Sequence, residues 1–217
     1  PLGLDFHIRV PESIPNSRLA TIESPGFFKL LSGFPFRLTL YTLNHRSNIY
    51  RALIANPGSG IVHDETTIYA RNLEVPSGGG VGTARAIAHA YGVFASGGTE
   101  LGLRNETLEA LAAPAIPPTN GFYDECMKGE AKFSLGFMKP CAAWPFTRQK
   151  AFGHPGAGGS IGFADPEAEI GYAYVTNKMG VELTGDPRDL ALREALYSFT
   201  LAAKYSANGE ELPGKLM

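Results

Sequence analysis

The strongest constraint on the fold of this chain is a run of glycines between two segments with strand-like patterns. Gly153, Gly156, Gly158 and Gly159 all lie within seven residues. Glycine in or beside a strand removes the side chains that would pack there, and it often marks the close approach of a ligand or of another backbone. The run therefore predicts an exposed strand end whose peptide groups can be approached closely.

Strand patterns surround this glycine run. Lys132–Met138 and Lys150–His154 are predicted strands, and Gly159–Ala164 and Glu169–Asn177 are the predicted arms of a hairpin that turns at Asp165-Pro166-Glu167. Large and small side chains alternate in the second arm, so that one face has small residues only: Gly171, Ala173 and Val175. Side chains of a strand alternate between its two faces, and we expect the small face to accept a closely packed helix.

Asp186–Lys204 is predicted to be that helix. Asp186 can cap the first free N–H groups, and Pro187 occupies the first helical position, where a missing N–H costs nothing. Three apolar side chains recur at helical spacing and are expected to form its buried face: Leu192, Leu196 and Phe199.

Two other helices are predicted upstream. Thr83–Ser96 has the clearest pattern, since Thr83 can act as cap, apolar residues recur at three- and four-residue steps, and Gly97-Gly98 can end the helix. A shorter helix, Glu106–Ala112, is expected to begin after Asn105 as its cap.

The first third of the chain has weaker patterns. Residues 1–80 show little periodicity, although Leu38–Arg51 could include a helical piece. The chain contains no internal repeat and no linker-like segment. It is therefore predicted to be one partial domain over 1–217, mostly helical or irregular over 1–125, with strands and the last helix over 126–217.

Composition and charge exclude two classes of protein. Lys and Arg number 19 against 21 Asp and Glu, a formal net charge of −2, and no long run of one charge occurs. Binding to nucleic acid would need a basic stripe, and a bilayer span would need about 18 consecutive apolar residues, so neither is expected. Cys126 and Cys141 are expected to be free, partly buried thiols, with one disulfide as the other possibility.

A resemblance becomes specific over Phe152–Glu167, which reads FGHPGAGGSIGFADPE. This segment resembles the third active-site motif of the serine β-lactamase and penicillin-binding-protein superfamily, in the His-x-Gly form found in esterase-like members. The opening Pro1-Leu2-Gly3-Leu4, the helix that starts at Gly82-Thr83 and the segment Gly185-Asp186-Pro187-Arg188 resemble the same family in the same order. The resemblance implies an α/β (α+β) fold in which helices flank an antiparallel sheet.

The resemblance also implies site residues. His154 stands where many relatives have Lys, and Gly156 is the glycine of the motif. The family's backbone donor to a developing oxyanion is the next residue, here Ala157. His154 would be a catalytic residue, and Gly156 and Ala157 would contact the substrate. A glycine-rich strand beside a structural histidine is the alternative interpretation.

Two departures from the family's pattern narrow the expected substrate. A histidine with an ordinary pKa near 6.5 is mostly neutral at pH 7 and offers a hydrogen bond rather than a full positive charge. Pro155 stands where relatives have a hydroxyl side chain and can donate nothing to a substrate carboxylate. A neutral ester, amide or peptide is therefore expected rather than a β-lactam, and no cofactor or metal is expected.

The family's nucleophile motif does not occur in this chain. No Ser is followed by Lys three residues later, and no Tyr is followed by Asn two residues later. Because the family carries both motifs upstream of the part matched here, we expect a C-terminal fragment of an acyl-enzyme serine hydrolase, inactive alone. The alternatives are a non-catalytic binding or oligomer-forming protein on the same fold, and one chain of a two-chain enzyme. The expected partners are therefore the substrate, a missing N-terminal part or a second copy, and the cellular compartment is left open.

Other motifs have weaker claims to chemistry. Gly158–Gly162 matches the Gly-x-Ser-x-Gly pattern around Ser160, but that motif needs a strand-to-helix turn and a later His, and no His follows Ser160. His89 and the cluster His63-Asp64-Glu65 lack the partners of a metal site. Gly78–Gly82 is not followed by the Lys-Ser/Thr of a phosphate-binding loop, so an ordinary loop is expected there.

Overall fold

The structure, a computed structural model, describes residues 1–26, 36–53, 74, 76, 78–142, 144–146, 148–182 and 185–208. Within these ranges the helices are α1 (Phe36–Leu43), α2 (Asn48–Leu53), α3 (Ala84–Ala95), α4 (Asn105–Ala112) and α5 (Pro187–Asn208). The strands are β1 (Phe6–His7), β2 (Val81–Gly82), β3 (Tyr123–Asp124), β4 (Gly129–Glu130), β5 (Phe133–Ser134), β6 (Phe137–Met138), β7 (Phe152–Pro155), β8 (Ile161–Asp165) and β9 (Ile170–Tyr174).

The main sheet is antiparallel, and its described strands lie in the order β5-β6-β7-β8-β9. Its centre is the β8–β9 hairpin, where Ile161 pairs with Tyr174 and Asp165 with Ile170. The predicted hairpin is therefore confirmed, with each arm slightly shorter than expected. Strand β7 pairs with β8 from Phe152–Ala164 to Pro155–Ile161, so the glycine run connects two neighbouring antiparallel strands.

Helix α3 packs on one face of this sheet, at its closest against β9. A Cβ at Gly171 would meet the backbone of Gly92 and Ala88, so the absence of side chains lets helix and strand touch. The small face of the hairpin therefore accepts a helix, as expected, but the helix is α3 and not the C-terminal one. The prediction that Asp186–Lys204 packs on this face was wrong. The small side chains of a strand indicate that a helix can pack closely against it, but they do not indicate which helix does so.

Helix α5 lies on the opposite face and buries a polar stripe. Asp189, Arg193 and Tyr197 are buried, and the Tyr197 hydroxyl donates to Asp165 Oδ2 at 2.6 Å. Arg193 pairs with Asp189 at 2.7 Å, and its guanidinium lies 5.8 Å from the centre of the Phe163 ring. The predicted buried face was wrong, since Leu192 is 53% exposed and Phe199 76% exposed. The face that this helix buries carries polar side chains, which contact Asp165 and Phe163 of the sheet.

Local signals locate the remaining elements with smaller errors. The Thr83 hydroxyl accepts from the Ala86 N–H at 3.2 Å, which confirms it as the cap of α3, and Gly97 and Gly98 have positive φ after the last turn. Helix α4 begins at Asn105 itself, so the capping position belongs to Arg104. The predicted strand Lys132–Met138 is a hairpin, because Leu135 and Gly136 take φ of 50° and 84° and reverse the chain.

Three further features complete the description of the fold. Leu38–Arg51 holds two short helices, α1 and α2, separated by a turn in which the Ser47 N–H donates to Asn44 O at 2.9 Å. Cys126 and Cys141 are free thiols of intermediate burial, as expected. Within the part of the chain that the structure describes, no helix is both long and apolar enough to cross a membrane.

Candidate active site

Strand β7 carries His154 out of the hydrophobic core to an exposed position. Phe152 is fully buried with Ala95, Leu111 and Ala164 on the side of the sheet covered by α3. Alternation along the strand places His154, two residues later, on that same face, and its pairing partner is Gly162. A Cβ at Gly162 would meet Tyr91 and Ile87 of α3 at 2.6 and 2.7 Å. His154 thus lies where the sheet emerges from beneath the helix, with its side chain exposed.

The His154 ring has two identified neighbours. Its Nδ1 lies 2.5 Å from Pro155 O, and its centroid lies 5.9 Å from that of Phe133, a half-exposed side chain of β5. A carbonyl oxygen can only accept a hydrogen bond, so in the neutral ring this contact requires the proton on Nδ1. Nε2 is then left as an acceptor, and it becomes a donor only when the ring is protonated.

The turn after β7 orients the peptide that joins Gly156 to Ala157. The Gly156 N–H donates to Ser160 O at 2.5 Å, and the Gly159 N–H donates to Gly156 O at 3.3 Å. Because a trans peptide is planar, its N–H points opposite to its C=O. Since Gly156 O points inward to Gly159, the Ala157 N–H points out of the turn, and Ala157 is exposed. The arrangement aims a backbone donor at the space outside the strand end.

The glycines of this turn meet steric and conformational needs. Gly158 and Gly159 have φ of 82° and 103°, a region that favours glycine. A Cβ at Gly158 would meet Met179, and a Cβ at Gly159 would meet the Asp186 carboxylate. The run of glycines therefore lets the segment around residue 180 and the start of α5 press against the turn.

An ion pair at the start of α5 holds this contact. Arg188 Nη2 lies 2.6 Å from Asp186 Oδ2, and the Asp186 Oδ1 accepts from Arg188 Nε and from its backbone N–H, both at 2.9 Å. The hydrogen bonds from Arg188 lower the pKa of Asp186, and the buried carboxylate raises the pKa of Arg188 in turn. Both groups are charged throughout the physiological pH range.

A small cavity near the turn lies on the other side of the sheet. It is lined by residues of β7, β8 and the start of α5, among them Pro155, Ile161, Asp186 and Asp189. Pro155 follows His154 directly and so faces away from it. The cavity borders the start of α5 and the turn after β7. Gly156 contributes to its lining, whereas His154 and Ala157 do not.

The weaker motifs take structural positions. Ser160 is followed by strand β8 and not by a helix, and its Oγ accepts from the Thr176 N–H at 3.3 Å. His89 pairs with Glu100 at 3.5 Å on the surface. Gly80 and Gly82 lie against the Phe6 ring of β1, which accounts for the lack of side chains there. The cluster His63-Asp64-Glu65 lies outside the described residues.

The structure thus brings His154, Gly156 and Ala157 together at one strand end, as neighbours in sequence must be. Sequence reasoning missed two of their supports, Phe133 and Arg188. No local pattern indicates that Phe133 lies beside His154, because the two are on non-adjacent strands of the sheet. Arg188 has a signal, since it follows an N-terminal Asp-Pro, but that pattern indicates only the start of a helix.

Comparisons with known proteins agree on one family. A family model described as "Beta-lactamase" matches residues 5–197. The Esterase/beta-lactamase LipL of Mycobacterium tuberculosis (strain ATCC 25618 / H37Rv) is 29% identical over 182 residues, which are 82% of this chain and 41% of that protein.

Solved structures show the same similarity at the level of the fold. A penicillin-binding-protein homologue from Caulobacter crescentus superposes with a TM-score of 0.66 at 32% identity, covering 91% of this chain and 49% of the homologue. A family VIII carboxylesterase superposes with a TM-score of 0.68 at 29% identity, covering 91% and 48%. EstA from Arthrobacter nitroguajacolicus Rue61a has a TM-score of 0.67 at 28% identity, covering 91% and 51%.

The mixed helices and antiparallel sheet are those of the β-lactamase and esterase fold. The chain belongs to the beta-lactamase family, within the superfamily of serine β-lactamases and penicillin-binding proteins. It spans about half the length of the relatives it matches.

Proposed function

We propose that this chain is the C-terminal part of a serine hydrolase that acts through an acyl-enzyme on a neutral ester, amide or peptide. In this proposal the nucleophile lies in a segment of the protein outside this sequence, since no Ser-x-x-Lys occurs here. The chain supplies the sheet side of the active site through His154, Gly156 and Ala157. No cofactor or metal takes part in the reaction.

The observation that carries the proposal is the direction of the Ala157 N–H. Attack by a serine oxygen turns the carbonyl oxygen of the substrate into an oxyanion, and a fixed donor that points at it lowers the barrier. The hydrogen bond from Gly159 to Gly156 O aims this N–H outward from an exposed strand end. Loss of one such donor costs roughly 10²–10³-fold in rate in other serine hydrolases.

The proposed reaction has two steps, acylation of the serine and hydrolysis of the acyl-enzyme. The serine oxygen adds to the substrate carbonyl, and the bond to the leaving group breaks. The leaving alcohol or amine departs with the proton that the serine hydroxyl gave up, and the acyl group remains on serine. Water then adds to the acyl-enzyme, its hydroxyl becomes part of the released acid, and its other proton returns to the serine oxygen. His154 accepts or donates one hydrogen bond at Nε2, depending on its protonation, because its Nδ1 is directed at Pro155 O.

The neutral character of the substrate follows from residues next to the donor. His154 replaces the permanent charge of a Lys, so a carboxylate would gain little at this position. The printed descriptions of the relatives include an esterase and a carboxylesterase, which supports esters as the first substrates to assay.

Covalent labelling tests the proposal. The complete protein that contains this sequence is expected to bind a fluorophosphonate probe at one serine outside residues 1–217 and to hydrolyse a chromogenic short ester. This chain alone is expected to do neither. Stoichiometric labelling of Ser160 in the chain alone would contradict the proposal, because it would place the nucleophile within this sequence.

The same experiment separates the alternatives. If the complete protein neither binds the probe nor contains a Ser-x-x-Lys segment, a non-catalytic binding or oligomer-forming role replaces the proposal. If labelling appears only when a separately encoded N-terminal chain co-purifies with this one, the enzyme consists of two chains.

A further inference from the structure

We infer that Arg188 is a positioning residue, which holds the turn 156–160 so that the Ala157 N–H keeps its direction during the reaction. The inference rests on the proposed function for its catalytic consequence. Its structural content, that one guanidinium fixes the turn, stands on contacts within the described residues.

Arg188 donates to groups from three separate segments of the chain. Its Nη2 lies 3.4 Å from Gly158 O in the turn, and its Nη1 lies 2.8 Å from Lys178 O in the segment after β9. Its Nη1 is also 3.4 Å from the Thr176 hydroxyl, and the remaining side of the guanidinium faces Asp186. A single planar group thus joins the turn, the segment after β9 and the start of α5.

The carbonyl of Gly158 is the point at which this network meets the turn. It accepts from the Gly180 N–H at 2.8 Å as well as from Arg188. Gly158 lies between Ala157 and Gly159 in the chain. The Gly159 N–H donates the hydrogen bond to Gly156 O that fixes the direction of the Ala157 N–H. Rotation of the peptide after Gly158 would move the Gly159 N–H and release Gly156 O, and the Ala157 N–H would lose its direction.

Asp186 keeps the guanidinium in place by accepting hydrogen bonds from its Nε and Nη2. The carboxylate is 2% exposed, and it occupies the space beside Gly159 and Gly180 that any side chain there would need. Arg188 itself is 39% exposed, so its contribution is geometric rather than that of a buried charge. A lysine could not replace it, because an ammonium group is a point donor and cannot span these acceptors with one planar fork.

The expected effect is on turnover rather than on substrate binding. The oxyanion exists only in the transition state and the intermediates, so a misdirected donor lowers kcat and leaves KM within about threefold. A displacement of about 1 Å in a catalytic group can cost 10²-fold in rate. For Arg188→Ala in the complete protein we expect kcat to fall roughly 10- to 100-fold per folded molecule.

The experiment compares variants by ester hydrolysis in the complete protein. Arg188→Lys is expected to behave nearly like Arg188→Ala, and free guanidinium ion below denaturing concentration is expected to restore part of the turnover of Arg188→Ala alone. Arg18→Ala is the matched control, since Arg18 pairs with Asp5 at 3.2 Å on the surface and should leave kcat unchanged. Unchanged turnover in Arg188→Ala, or an equal loss in Arg18→Ala, would overturn the inference.

Amide exchange gives a readout that does not need activity. In Arg188→Ala the N–H groups of Gly156 and Gly180, which donate to Ser160 O and Gly158 O, should exchange faster, while those of the β8–β9 hairpin keep their protection. If these amides exchange faster in Arg188→Ala but the wild-type protein hydrolyses no ester, the proposed function is contradicted. The inference that Arg188 fixes the turn is then still supported. Normal exchange at both glycines in an active enzyme would remove the inference alone.

Discussion

His154 and Lys139 are two basic side chains near the same sheet face whose surroundings differ completely. His154 is exposed beyond the end of the core, whereas Lys139 is 2% exposed, with its Nζ 5.0 Å from the centre of the Phe152 ring. The ammonium group donates to Leu111 O in the last turn of α4, a carbonyl with no acceptor role inside the helix. Because His154 is exposed, it is a candidate for contact with a substrate. Because Lys139 is buried, its substitution is expected to affect the stability of the fold.

Substitution of His154 in the complete protein should separate a site residue from a structural one. His154→Ala is expected to lower kcat by roughly 10²-fold, the value of one positioned hydrogen bond, with a melting temperature close to that of the wild type because the ring is exposed. His154→Gln places an amide near the position of Nε2 and should retain more turnover than His154→Asn, which mimics Nδ1. A large drop in melting temperature with unchanged turnover per folded molecule would refute the assignment.

The buried Lys139 predicts a specific dependence of stability on pH. Burial lowers its pKa to about 8, against about 10.4 in an unfolded chain. Between these values the unfolded chain binds more protons than the folded one, so stability should rise as the pH increases from 8 towards 10. Tyr91, whose pKa burial raises to about 12, acts in the opposite direction only above pH 10.

Thermal melts from pH 7 to 10 on wild type and Lys139→Met test this dependence. Methionine fills a similar volume without a charge, so the variant should lack the rise, and the difference between the two curves isolates Lys139. Parallel curves would show that the amine keeps an ordinary pKa in the folded protein.

Among the elements, the contact between α3 and β9 decides how tightly the layers pack. Gly92 in the helix and Gly171 in the strand face each other with their backbones in contact, and a methyl group added at Gly171 would have no space. This contact also sets the position of Tyr91 and Ile87 above Gly162, next to which His154 leaves the core.

Gly171→Ala is therefore expected to destabilise the protein by about 1–3 kcal/mol, the usual cost of overpacking a core. For a domain of this size each 1 kcal/mol lowers the melting temperature by roughly 2–4 °C. Gly129→Ala is the control, since Gly129 also lies in a strand but its Cβ would meet nothing within 4 Å. Equal melting temperatures for the two variants would mean that helix and strand are less close than the structure shows.

For the molecule as a whole, the outer surface of α5 and the edge of the sheet are the exposed features. Leu192 and Phe199 are seven residues apart and share one helix face, and β9 pairs only with β8 among the described strands. Exposed apolar side chains and an unpaired strand edge each favour association between molecules.

The chain expressed alone should consequently self-associate or show low solubility. Replacing Leu192 and Phe199 together by Glu should shift it towards the monomer in sedimentation experiments. Ile116→Glu is the control, because Ile116 is 86% exposed outside this surface and should not change the association state. A sharp, cooperative melt from a dilute wild-type monomer would contradict this prediction.

The sequence by itself determined the features that depend on neighbouring residues. Backbone preferences within a few residues act before any tertiary contact forms. They account for the cap and the C-terminal glycines of α3, for the β8–β9 hairpin and for the start of α5 at Asp186-Pro187. The motif around His154, Gly156 and Ala157 could also be named, because its residues are contiguous. Their catalytic roles, and the division of the chain near residue 125, stay predictions.

Only the tertiary structure decided which surfaces meet. The spacing of Leu192, Leu196 and Phe199 indicated a buried face for α5, yet hydrogen bonds to partners distant in sequence, Asp165 and Pro145, bury the opposite stripe. The small face of β9 receives α3 instead of α5, and Lys139 is buried although its residue type favours the surface. A periodic pattern indicates that a face can be buried, whereas the free energy of burying it depends on which other parts of the chain pack on that face.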